Sequence, residues 1–163
     1  MYKMFIDSIY ARRHPYFITE SHLIIDHFST ACAGFGEEGC DSGRKTFVED
    51  SSDLEGLRQA HQLLRQRFTV GQLAALAFPD LPYTLEQIFF YAFASLACTA
   101  DDHEDDLQNG TRSLPIVRVN GVLSQMPEFT RTFNCFDGEP MNAPEKSVCY
   151  LFGENAVSTE DRS

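Results

Sequence analysis

The 163-residue chain has no tryptophan, no apolar run near the ~20 residues a membrane span needs, and no cysteine pair at metal-ligand spacing. Basic residues are scarce too: 13 Lys and Arg stand against 24 Asp and Glu, a formal net charge of −11. Phosphate binding needs clustered Lys and Arg, so this balance argues against nucleic acid and anionic membranes as partners. The first 17 residues carry Lys3, Asp7, Arg12 and Arg13 and lack a continuous apolar stretch, so they do not read as a signal peptide. Five histidines occur, His14, His22, His27, His61 and His103, but nowhere as His-Glu-x-x-His, the arrangement by which one helix presents two zinc ligands and a general base.

What is present is sufficient for one domain, since 43% of the residues are hydrophobic. Five cysteines are many for a short cytosolic chain, and Asn109-Gly110-Thr111 is a glycosylation sequon. Both point toward the secretory pathway. The run 101–106, all acidic except His103, reads as a solvated loop, because no EF-hand glycine or closing glutamate follows at the required spacing.

The hydrophobic pattern is helical, and the expected class is mainly α. Two short helical patterns occupy the first 32 residues, one through Met1, Phe5 and Ile9, the other through Leu23, Ile24, His27 and Phe28. Pro15 separates them, since proline disfavours helix in the residue before it. Glycines make 33–44 a loop. A third helix is expected over 48–68, with Leu54, Leu57, His61, Leu64 and Phe68 forming one stripe and His61 a packed core histidine. A short helix over 70–78 and a turn bracketed by Pro79 and Pro82 follow. Thr84 with Gln87 forms a capping box for a helix over 85–98, apolar almost all round and therefore expected to be buried on most faces. A strand is expected at 116–119, a helix opened by Pro127 runs to 134, and the acidic end 154–163 is expected to be disordered.

At the start of the third helix Glu49 and Asp53 fall one turn apart, and taken alone they are favourable negative charge near a helix N-terminus. Order and distance add to this. Glu49-Asp50-Ser51-Ser52-Asp53, the Leu/Phe-rich stretch ending at Cys98, Arg118-Val119-Asn120-Gly121, Pro127-Glu128-Phe129 leading to Cys135, and Gly138-Glu139-Pro140-Met141-Asn142 follow one another in the order seen in neprilysin-type zinc metallopeptidases. The chain resembles the C-terminal region of that family over 44–152, with 1–43 a more weakly similar helical segment and loop and 153–163 a tail.

The resemblance implies a thermolysin-like site in which Glu49 is the third protein ligand of a catalytic zinc and Asp53 its carboxylate neighbour, orienting a ligating histidine. It implies that Arg118 hydrogen-bonds a substrate backbone carbonyl; from the residues alone Arg118 is equally a surface or ion-paired arginine. Two positions depart from the pattern: Asp50 stands where the family has asparagine, and Arg112 where it has an oxyanion-stabilising histidine. Arginine is a strong donor, but its reach and permanent charge differ from histidine's. By the same resemblance Cys32 pairs with Cys149, with Cys40 as the alternative to Cys32, while Cys98 and Cys135 lack their partners.

The function so implied is the C-terminal part of a zinc-dependent metalloendopeptidase acting on peptides at an extracellular or cell-surface location. The chain by itself is expected to bind no zinc and to be inactive, its partner being the N-terminal part of the same protein. The alternatives are a secreted, catalytically dead relative that binds peptides or proteins, and a small acidic interaction protein.

Overall fold

The computed structural model of the protein describes residues 15–34, 43–98, 112–144 and 147–151. Six helices occur there: α1 (Pro15–Gly34), α2 (Gly43–Arg67), α3 (Val70–Ala74), α4 (Leu85–Leu96), α5 (Pro115–Ser124) and α6 (Pro127–Phe133). The extended pairing among the described residues is a single antiparallel bridge between Leu76 and Thr84, which closes the turn before α4. The mainly α class therefore stands. The segment through Met1, Phe5 and Ile9, the run 101–106, Asn109 and the acidic tail lie outside the described residues.

α1 packs against α2 and α5, and α4 against α3 and α6. Ile24 and Phe28 of α1 meet Leu54 and Leu57 of α2 and Val117 and Val122 of α5 in one buried cluster. Phe28 is the wedge that sets this spacing. A methyl group on Gly121 would sit 2.5 Å from its ring edge, and one on Gly43 would sit 3.1 Å from its Cβ and 2.5 Å from the carbonyl oxygen of Ile25. Both glycines are there because the helices approach too closely for any side chain.

That close approach corrects the expected loop over 33–44 at both ends. α1 continues to Gly34, and α2 starts at Gly43 rather than at 48. The Gly43 N–H donates to Ser29 Oγ at 2.8 Å, and the same hydroxyl donates to the Ile25 carbonyl at 2.7 Å, so α1 supplies the partner for a helix-start N–H of α2. Along α2 the buried face holds Leu54, Leu57 and His61, as the pattern required. His61 stacks on Phe90 and bonds Glu86 Oε1 at 2.7 Å, a satisfied core histidine.

Two other expectations change. The strand at 116–119 is instead the first half of α5: Pro115 opens the helix, and the β-branched run Ile116-Val117 yields to tertiary contacts that need Arg118, Gly121 and Val122 on helical faces. α4 has the expected Thr84–Gln87 capping box. It is not buried on most faces: Phe90 is its one buried residue, while Tyr91 is 45% and Leu96 84% exposed. α6 begins at Pro127 and ends at Asn134 in the left-handed conformation that asparagine tolerates.

The segment 147–151 returns across α1 and α2. Its buried Val148, Cys149 and Leu151 are held by side chains of the helices. The Tyr150 N–H donates to Glu20, the Leu151 N–H to Glu55, and Arg58 donates to the Cys149 carbonyl at 2.5 Å and the Gln125 carbonyl at 2.8 Å. No helix among the described residues is long and apolar enough to cross a membrane.

Candidate functional site

Helical spacing puts Glu49 and Asp53 on one face of α2, with Asp50 turned inward beside them. The chain returns to this face at 112–118. There Arg118 forks onto Asp53, its Nε meeting Oδ2 and its Nη2 meeting Oδ1 at 2.8 Å, a two-point arginine–carboxylate contact. Six residues earlier Arg112 Nε lies 3.3 Å from Glu49 Oε2. The four residues singled out from sequence, Glu49, Asp53, Arg112 and Arg118, thus lie together as two ion pairs side by side.

The pairs differ in strength. Arg118 and Asp53 are 28% and 19% exposed, and the bonds to Asp53 raise the already high arginine pKa. Arg118 is permanently charged and locked in direction. Arg112 is 65% exposed and Glu49 36%, so water screens that pair and it is worth little.

Asp50, in sequence only a departure from the family pattern, ties the two segments together. It is fully buried. Its Oδ2 accepts from Thr46 Oγ1 at 2.6 Å and from Ser113 Oγ at 2.8 Å, and its Oδ1 is a buried oxygen with no hydrogen-bond partner. Burial is the largest cause raising its pKa to about 6, partly offset by the two hydroxyl donors. Ser113 carried no signal in the sequence, because its partner is 63 residues away.

Do these residues fit a metal? One half-exposed carboxylate already paired with a guanidinium is not a zinc site, and among the described residues no group of three His, Cys, Asp or Glu side chains is close enough to hold an ion. Of the histidines, His22, His27 and His61 are described, and His27 and His61 are bonded elsewhere in the fold; His14 and His103 lie outside the described residues. Cys98 and Cys135 carry free thiols, exposed and half-buried respectively. Cys149 is buried, and the side chain of Cys32 and all of Cys40 lie outside the described residues, as does any pairing between them.

Residues 6–149 match Peptidase family M13, and the chain belongs to that family. It is similar to Neprilysin-3 of Drosophila melanogaster, with 32% identity over 108 residues, 64% of this chain and 14% of that protein. The human Kell blood group glycoprotein is 34% identical over 107 residues, 66% of this chain and 14% of that protein. Human endothelin-converting enzyme 1 is 34% identical over 108 residues, 64% of this chain and 14% of the enzyme. The chain spans about a seventh of the length of the curated relatives it matches. The family is generally zinc-dependent.

Proposed function

We propose that this chain is the C-terminal part of a neprilysin-type metalloendopeptidase that cleaves peptides on the amino side of hydrophobic residues at an extracellular or cell-surface location. The observation that carries the reading is the convergence of Glu49, Asp53, Arg112 and Arg118 on one face, with Arg118 aimed by Asp53. In this reading Arg118 Nη1, which makes no bond among the described residues, donates to a backbone carbonyl of the substrate. Asp53 keeps that donor in place. Arg112 offers a second donor beside it, and Glu49 contributes one carboxylate to a metal site that an N-terminal part carrying His-Glu-x-x-His completes.

Exposed apolar residues support such a companion. Val70, Leu76, Phe78, Tyr91 and Leu96 are between 45% and 84% exposed around α3 and α4, an apolar surface that other protein would cover. The name of the Kell blood group glycoprotein fits the sequon reading of Asn109 and hence the extracellular setting. A second reading, a catalytically inactive relative that binds peptides or proteins, is favoured by Arg112, which places a guanidinium beside the Glu49 carboxylate.

A peptide-cleavage assay separates them. The purified chain alone should leave short hydrophobic peptides intact. Co-expressed with a His-Glu-x-x-His segment of the family it should give chelator-sensitive cleavage, and Arg118→Ala should lower kcat/KM by one to two orders of magnitude, about 1.4–2.8 kcal/mol for a lost charged donor. Chelator-sensitive cleavage by the isolated chain would refute the dependence on a second part. Peptide binding without cleavage in the assembled protein would favour the inactive relative.

A further inference from the structure

His27, in the middle of α1, sits at the junction of α5 and the segment 147–151. Its Nε2 is 2.9 Å from the Gly121 carbonyl oxygen, which can only accept, so Nε2 carries the ring proton. Its Nδ1 is 3.3 Å from Gln125 Nε2. The orientation of the Gln125 amide is set by the backbone: Oε1 accepts from the Cys149 N–H at 2.8 Å, and Nε2 donates to the Ser147 carbonyl at 3.2 Å. His27 Nδ1 is therefore an acceptor, and the ring is neutral. Ser124 Oγ lies 3.3 Å from Nε2 but donates to the Gly121 carbonyl at 3.1 Å, so it is not a nucleophile facing a base.

We propose that His27 and Gln125 form a proton-operated latch, in which a second proton on the His27 ring makes Gln125 release the Ser147 carbonyl and the Cys149 N–H. A proton on Nδ1 would point at the Gln125 amide N–H groups, donor against donor. Rotating the amide to satisfy the ring turns its N–H groups toward the Cys149 N–H and its oxygen toward the Ser147 carbonyl, so both backbone bonds are lost. Gln125 is 1% exposed, which leaves no room for water to take over those bonds.

The charged groups on the packed elements do not balance a positive ring. On α1, Glu20 bonds the Tyr150 N–H, and neither Asp26 nor His22 bonds the ring. On α2, Asp50 is held by Thr46 and Ser113, Glu55 and Arg58 bond each other and the returning segment, and Asp53 is taken by Arg118 of α5. Burial accordingly lowers the His27 pKa from 6.5, with the Gly121 carbonyl opposing it more weakly. The latch is shut above pH 6.5 and loosens as the pH falls through the lowered value. Asp50, with its pKa raised to about 6, acts in the opposite sense, becoming more favourable on protonation, so it cannot imitate the effect.

Hydrogen exchange of the Cys149 amide, whose acceptor is Gln125 Oε1, reads the latch directly once corrected for intrinsic rates, and the Tyr150 and Leu151 amides, held by Glu20 and Glu55, serve as references. From pH 7.5 to pH 5.0 the protection of the Cys149 amide should fall, by at most about thirtyfold given the free ring value of 6.5, while amides in the middle of α2 keep theirs. His27→Gln should abolish this dependence, and Gln125→Ala should leave the segment equally open at both pH values. Unchanged protection in the natural protein, or a dependence that survives His27→Gln, overturns the proposal. If His27→Gln does not fold, nitrogen NMR of the natural protein decides: the Cys149 amide shift should follow the His27 ring titration, and an amide that ignores it overturns the latch.

Discussion

Phe28→Ala is expected to destabilise the protein by about 3–5 kcal/mol, the usual range for truncating a fully buried phenylalanine. The residue is 1% exposed and its ring lies against Gly121, so its loss leaves a cavity in the cluster where α1, α2 and α5 meet. Those helices cannot collapse into the cavity without moving the Gly43 and Gly121 contacts. Filling from the other side is also unfavourable. Gly121→Ala should cost about 1–3 kcal/mol by overpacking, even though alanine favours helix by about 1 kcal/mol over glycine. Gly56→Ala on α2, where a methyl meets nothing within 4 Å, should instead stabilise by about 0.5–1 kcal/mol. Urea unfolding of the three proteins measures all of this, and a Phe28→Ala loss under about 1 kcal/mol would mean that the wedge is not where the helices are held.

Asp50→Asn is expected to stabilise the protein at pH 8 and not at pH 4. An acid whose folded pKa of about 6 exceeds its free value of 3.8 contributes most when protonated. That contribution is complete below pH 3.8 and is lost as the pH rises through 6. Two pH units correspond to about 2–3 kcal/mol, an upper bound for the gain because the new amide nitrogen would occupy the place of an unpartnered oxygen. The amide oxygen retains the Thr46 and Ser113 donors, and asparagine is the residue that the neprilysin pattern has at this position. Unfolding free energies at the two pH values are the measurement. An equal effect at both would show that burial does not raise the Asp50 pKa.

Legibility followed the range of the interaction. Both halves of the Thr84–Gln87 capping box lie within four residues, and Pro127 acts on its own helix, so these starts could be read directly. The stripe Leu54, Leu57 and His61 was readable because one helix face carries it. α5 differs from the expected strand because its β-branched residues favour a strand locally, and what overrides them, Phe28 against Gly121 and Asp53 against Arg118, comes from 65 or more positions away. The same holds for the site. Glu49, Asp53, Arg112 and Arg118 are candidates that follow from the family's motif order, whereas Ser113 as the partner of Asp50, and Gln125 between His27 and Cys149, obey no short spacing. The exposed side of α4 was invisible for another reason: an all-round apolar helix predicts burial, but not by which segment.

Metal analysis of the purified chain after dialysis against trace zinc at neutral pH decides whether Glu49 belongs to a site that this chain only begins. A single carboxylate paired with Arg112 should retain far less than one equivalent. One tightly held equivalent that disappears in Glu49→Ala would mean instead that the chain assembles a complete metal site of its own.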